Sequence, residues 1–449
     1  MIERKRTWHR IPVTLLFCAW LAVGFGCQAF ATPEQAPPVT ATPAQAVTAT
    51  PFPTPTPTLP PPEEDPSTLT VWITELVSPL DGDERSRIFE EQILAFEATH
   101  PGLSVDVYHK KADGKGGLED FLSTASAVAP DVVPDLMMID TARLRALTQQ
   151  GLVSPLDELL DPDLVSDLYP FAIQGSTVDG QLVGVPFEAS VEHALYNTSK
   201  IAVPPLSWTE VFSSGATYIF PTMGQGGLVN DTFLIQYLST GAELVDSNGQ
   251  PALDVQALTD VLTFYRDGLA NGSILGDVLQ YDTVRSGWRK YLQAEVVMAD
   301  ISSDLYLEGR GLLQVSKATW VPTQAGPPAI TLARGNAWVI TAPTPKRVAL
   351  SAKLLAWLMN PANMARWSMA AECLPTRRAA FEQMPRDEDE YVQFIYTQLE
   401  YAIPYPSSEM HKRIYRAMQD AVDAVLRQGE PPALAAEEVL QAVNQGGTP

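Results

Sequence analysis

Leu69-Thr70-Val71-Trp72-Ile73 opens the segment on which the architecture turns. A short run rich in β-branched and aromatic residues reads as a buried strand. Arg87–His100 then places Phe89, Ile93 and Phe96 at i, i+4 and i+7, which predicts an amphipathic helix. Pro101-Gly102 stops it. Leu103–Val107 alternates polar and apolar residues as a second strand. A Gly-rich loop, Asp113–Gly117, leads into a helix near Glu119–Val128, and Pro134–Asp140 supplies a third apolar strand. Strand, helix, strand, helix, strand implies an α/β sheet, largely parallel and covered by helices on both faces, with right-handed crossovers. In such sheets ligands gather at the carboxyl ends of the strands. That rule sets Thr74, Glu75, Asp140 and Thr141 beside a crevice.

The 449 residues are enough for two or three domains, or for one large two-lobed body. The formal net charge of −23 argues against a nucleic-acid partner, because phosphate binding needs clustered Lys and Arg. Cys18, Cys27 and Cys373 are the cysteines of the sequence. They support neither a disulfide framework nor a Cys-rich metal site. The five His include no zinc-ligand spacing, so neither metal nor cofactor is expected. No Gly-x-Ser-x-Gly elbow, phosphate loop or His-Glu-x-x-His is found. Paired acids such as Asp387–Glu390 read as a solvated charge run.

Upstream of Leu69 the chain reads as an address and a stalk. Arg4, Lys5, Arg6 and Arg10 precede the apolar run Ile11–Phe25, the order of a secretory signal. The run falls short of the roughly 20 apolar residues of a spanning helix. Gly24-Phe25-Gly26-Cys27 resembles a bacterial lipobox, with Gly24 where an aliphatic residue is usual. The resemblance implies cleavage after residue 26 and a lipid on Cys27; an ordinary signal peptide with an incidental Cys is the alternative. Residues 27–66 continue as a Pro/Thr-rich segment, including Thr50–Pro57. It cannot bury enough apolar surface to fold and is biased to extended polyproline II. It is expected to act as a disordered stalk holding a folded body off a membrane.

Downstream, further segments fall in a recognisable order. "AFEATHPG" (Ala95–Gly102) and "LSVDV" (Leu103–Val107) are followed by "VPDLMMIDTARLRALTQQGLVSPLDELL" (Val133–Leu160) and "DGQLVGVPFEASVEHALYN" (Asp179–Asn197). Then come Leu238–Gly272, "YLQAEVVMADISSD" (Tyr291–Asp304), "GNAWVI" (Gly335–Ile340) and Leu354–Phe381. In this order they resemble the extracellular solute-binding proteins of ABC importers, the maltose-binding-like family, over about Thr68 to Gln445. Ala294 departs from the Gly usual before the return strand, and Cys373 stands where Gly is common.

The resemblance implies a two-lobed α/β fold of the type II periplasmic-binding-protein class, each lobe a mixed, mostly parallel sheet flanked by helices. It implies a first lobe of residues 67–187 plus 300–341 and a second of 188–299 plus 342–449. Crossings are expected near Pro186–Ser190, Asp300–Asp304 and Thr341–Pro345, with hinge closure around a ligand. The expected protein is a monomeric lipoprotein on the outer face of the cell membrane. It would capture a mono- or oligosaccharide and deliver it to permease subunits driven by a cytoplasmic ATPase. The alternatives are an exported, membrane-anchored carbohydrate-active hydrolase or lyase, and a sensor or adhesin on the same fold.

A sugar presents apolar faces and many hydroxyls, so aromatic and planar polar side chains are the expected contacts. Trp72 is a stacking platform or a core residue beneath the crevice. Trp288 is a second stacking candidate; Trp208 reads as structural. Asp140 either caps the next helix or accepts a hydroxyl. Glu188 and Ser190 ride the first crossing, with His193 read as structural. Ser302, Ser303 and Asp304 follow the return strand. Arg334 and Asn336 flank Gly335, where the absent Cβ permits close approach. Asn230-Asp231 is expected to add a contact from the second lobe.

Overall fold

The computed structural model describes residues 67–74, 83–112, 114–129, 132–385 and 389–445. The expected signal, the lipid on Cys27 and the stalk fall outside these residues, as do Glu75 and Asp387.

The strands, in chain order, are β1 (Thr68–Thr74), β2 (Ser104–Lys110), β3 (Leu136–Asp140), β4 (Thr177–Val178), β5 (Gln181–Leu182), β6 (Val185–Pro186), β7 (Glu188–Asn197), β8 (Tyr218–Ile219), β9 (Met298–Ser302), β10 (Ser316–Thr319), β11 (Thr331–Arg334), β12 (Asn336–Ile340), β13 (Leu374–Pro375) and β14 (Ala402–Pro404). One sheet has the order β2-β1-β3-β12-β6. Its opening strands are parallel, as the sequence implies; β12 alone is reversed, pairing antiparallel with β3 on one side and β6 on the other. The other sheet runs β14-β11-β7-β9-β8. The long strand β7 is its spine, pairing antiparallel with β9, β10, β11 and β13, while β8 and β14 add parallel edges.

The first helix, Glu84–Thr99, begins where Asp83 caps it, its carboxylate accepting the Ser86 amide at 3.0 Å. Ile88, Phe89, Ile93 and Phe96 form its buried stripe. Helix Pro345–Leu358 packs beside it on β12 of the first sheet, and helix Pro361–Ala371 packs on the first helix itself. A buried ion pair ties that cover down. Asp135, fully buried, accepts Arg347 Nε at 2.6 Å and Nη2 at 2.5 Å, and also the Thr70 amide at 2.7 Å. Arg347 donates onward to the Thr68 carbonyl at 3.0 Å, so one guanidinium joins β1, β3 and the helix above them.

The chain passes between the sheets at Phe187, at Gly335 and at Glu372–Cys373. Phe187 lies inside the crossing expected near Pro186–Ser190. The passage expected near Thr341–Pro345 falls earlier, at Gly335. The third is not at Asp300–Asp304. There β9 hydrogen-bonds to β7 and runs straight into the helix Ser303–Gly309, which also packs on β7. The strands within residues 298–334 therefore pair with the second sheet, and the helix Pro345–Leu358 sits on β12 of the first. The expected boundaries at 299/300 and 341/342 differ from these memberships, because strand hydrogen bonding decides them rather than the order of motifs.

Candidate functional site

Two cavities flank the crossing segment Arg334-Gly335-Asn336. One, of about 170 Å³, lies at the carboxyl ends of β1 and β3 and is lined by Thr74, Asp140, Asn336, Glu119 and Arg143 among others. The other, of about 330 Å³, lies against the second sheet, with Glu192, Asn230, Asp231, Thr232, Arg334 and Tyr405 on its wall. Arg334 ends β11 and Asn336 begins β12, so the two belong to different sheets, and Asn336 lines the first cavity while Arg334 lines the second.

Asp140 accepts the Ala142 amide at 2.8 Å, capping the turn that follows β3 while also lining the first cavity. The capping reading of this residue is the one the hydrogen bond shows. Arg143 pairs with Glu119 at 3.0 Å across the same cavity. In the hinge, Asn336 Nδ2 donates to the Glu188 carboxylate. Burial raises the Glu188 carboxyl above its ordinary range, the Asn336 bond opposing it. Ser190 donates to Asp304 at 2.6 Å.

In the second cavity Asn230 caps the helix Asp231–Leu238, its Oδ1 accepting the Phe233 amide at 3.0 Å. Arg334 grips Asp231 through both guanidinium nitrogens and lies 3.6 Å over the Tyr405 ring. Beneath the wall, Asp300 accepts Tyr218 and Thr232 hydroxyls at 2.6 Å each. Burial pushes its carboxyl up to about 7, against those two bonds. Burial likewise pushes Glu192 up to about 8, opposed by the Arg334 charge and reinforced by Asp300 and Asp304.

Other candidates lie elsewhere. Trp72 is 3% exposed, in a core cluster beneath the helix Leu118–Val128, edge-on to Phe121 at 5.4 Å. Lys110 Nζ covers its ring at 4.5 Å. Trp288 packs on Gly309, where a Cβ would come 2.8 Å from its ring, and stacks on Tyr291. Ser303 is fully buried and accepts the Val191 amide at 3.1 Å; Ser302 is half-buried in the register of Glu192. His193 is fully buried, 3.1 Å from the Tyr391 hydroxyl, and burial lowers it to about 4. Trp208 stacks on Phe264 and donates to the Pro322 carbonyl. The sequence reading omitted Glu192, Arg143 and Tyr405. Period-2 alternation from Glu188 through Ser190 was the available signal for Glu192.

Among the described residues no group of His, Cys, Asp and Glu could hold a metal ion, and no helix is long and apolar enough to cross a membrane.

Residues 91–392 match the family of bacterial extracellular solute-binding proteins, and the chain belongs to that family. A binding protein of Brucella abortus is 25% identical over 206 residues, 43% of this chain and 49% of its own. The maltotriose-binding protein of Pyrococcus abyssi is 24% identical over 188 residues, 41% and 40% of the two chains. The chain thus spans about half the length of the curated relatives it matches. The cyclic α-maltosyl-1,6-maltose binding protein of Arthrobacter globiformis superposes with a TM-score of 0.69 at 17% identity, covering 84% of this chain and 98% of the other. The sugar-binding protein MalE of Xanthomonas citri gives 0.69 at 19%, covering 84% and 96%. These likenesses establish the two-lobed mixed α/β fold. The family and these neighbours are binding proteins, and an extracellular solute-binding protein works outside the cytoplasm.

Proposed function

We propose that the protein captures a carbohydrate between its lobes and delivers it to the permease of an ABC importer, anchored outside the cell by a lipid on Cys27. The observation that carries this reading is the pair of cavities joined by Arg334-Gly335-Asn336. A ligand held by both would report its presence to the crossings, the covalent links between the lobes. Thr74, Asp140 and Asn336 would meet it from the first lobe; Asn230 and Arg334 would meet it from the second, with Glu188 between. Trp72, Trp288 and Ser303 support the walls rather than touch the ligand. The sugar names of the Pyrococcus and Xanthomonas proteins support the ligand class.

Closure is then a population shift, driven only by tighter binding to the closed state. A thermal-shift and calorimetric screen of mono- and oligosaccharides tests the reading. Specific, stoichiometric binding without turnover is expected, since a ligand that prefers the folded state raises the melting point. Hydrolysis of the bound sugar would replace the receptor with the hydrolase alternative. Separately, Cys27→Ser should release the protein from membranes in cells, and retention there would refute the lipid anchor.

A further inference from the structure

The second cavity holds polar atoms that nothing in the described chain satisfies. Asn230 is 5% exposed, and with Oδ1 committed to the helix cap its Nδ2 has no hydrogen-bond partner. Glu192 Oε2 has none either. Both residues line the same 330 Å³ space. A buried donor or acceptor left unbonded costs its full desolvation, and each instance calls for an explanation.

The charges nearby make Glu192 the sharper case. Arg334 is the cation on this wall, and it is already engaged by Asp231 on both nitrogens and by the Tyr405 face. Asp282, also on the wall, accepts the Ser286 hydroxyl at 3.0 Å. The β7–β9 register pairs Glu192 with Ser302 and Ala194 with Asp300, so Glu192 and Asp300 are diagonal neighbours on one sheet face. The partners of Asp300 are hydroxyls, not cations. An anionic ligand entering here meets Glu192, Asp231 and Asp282 with one committed cation among them, and a neutral one forms no charge pair with Glu192.

We propose that the part of the ligand seated against the second sheet carries a basic nitrogen beside a hydroxyl, as in an amino sugar, with the ammonium on Glu192 and the hydroxyl accepting from Asn230 Nδ2. This rests on the carbohydrate reading above and narrows it. The proton balance is set by the environment of Glu192, which faces Asp300, Asp304 and Arg334. Burial keeps its carboxyl protonated at neutral pH, so an arriving ammonium displaces that proton to solvent as the carboxylate forms. A neutral sugar releases none.

Calorimetry on the wild-type protein at pH 5.5, where the amines are ammonium and Glu192 still holds its proton, tests this with the glucosamine trimer, its N-acetylated form, cellotriose and maltotriose. The glucosamine trimer should bind at least tenfold more tightly than each neutral trimer. It alone should release a proton, seen as a binding heat that differs between acetate and MES buffers. Glu192→Gln should abolish both the preference and the proton release. Neutral trimers binding as tightly as the amine, or an amine preference that survives in E192Q, would overturn the proposal while leaving the carbohydrate reading intact. No binding of the glucosamine trimer would overturn the proposal, and the carbohydrate reading would then rest on the wider screen of mono- and oligosaccharides.

Discussion

Gly335 is wedged against Glu188. A Cβ on residue 335 would overlap the Glu188 carbonyl oxygen and come within 2.9 Å of its carbonyl carbon and 3.2 Å of Ala189 Cα. Two of the segments that join the lobes are thus packed backbone to backbone, with Asn336 and the Glu188 carboxylate bonded across the same junction. Gly335→Ala must separate them. The expected loss is about 1–3 kcal/mol, the usual scale for forced overpacking. Gly311, where nothing lies within 4 Å of an added Cβ, is the control and should tolerate Ala. Urea unfolding of both variants checks this; equal stabilities would show that the hinge junction yields freely.

Ala294 sits at φ +55°, in the left-handed region that glycine occupies without penalty. The departure from Gly noted in the sequence therefore stores strain. Ala294→Gly should stabilise the protein by about 0.5–1 kcal/mol, because relief of the left-handed cost exceeds the added chain entropy. A lower unfolding midpoint in the variant would contradict it.

Stability should fall as pH rises from about 6.5 to 8, above the range in which buried His193, lowered to about 4, opposes the trend. The Glu192 carboxyl is raised from 4.5 to about 8, and its neighbour Asp300 from 3.8 to about 7. Through that window the folded chain holds protons that the unfolded chain has released, so the slope of unfolding free energy against pH is negative. Each proton contributes at most about 1.4 kcal/mol per pH unit. Since the two groups interact, the slope belongs to the pair. Melting curves between pH 6.5 and 9 should show the decline, and Glu192→Gln should flatten it. A variant with an unchanged slope would move the titration elsewhere.

Arg347→Ala should be among the most damaging single changes in the first lobe. It leaves Asp135 fully buried with only the Thr70 amide against its charge. Stranding a buried carboxylate costs about 3–5 kcal/mol. Adding Asp135→Asn removes the stranded charge, so the double variant should be more stable than Arg347→Ala alone. The reverse order in chemical denaturation would mean that water reaches Asp135.

Much of the first lobe was readable in the chain. Its opening strands are local and either apolar or cleanly alternating, and Thr74 and Asp140 end strands, so the strand-end rule placed both on a cavity. The second lobe was harder to read. Its sheet is assembled around β7 from strands of two to five residues, too short to carry a period. Ser302 and Ser303 looked like cleft residues because polar residues clustered after a strand; one instead bonds the backbone of β7. Trp72 was ambiguous for the opposite reason. Its residue type suits both a core and a platform, and only the covering helix decides between them. Glu192 lies in a strand with polar residues on both faces, though its parity with Glu188 and Ser190 marked its side.

The first sheet takes β12 from residues 336–340 and the helix on it from 345–358, while β1 and β3 come from before residue 141. A chain made from its amino end can align β1, β2 and β3 early, yet the outer side of β3 stays bare until nearly two hundred further residues have been synthesised. Closing that sheet is a long-range event, slow by the usual dependence of rate on sequence separation. The lobe begun first is therefore finished late, after most of the strands of the other sheet have been made.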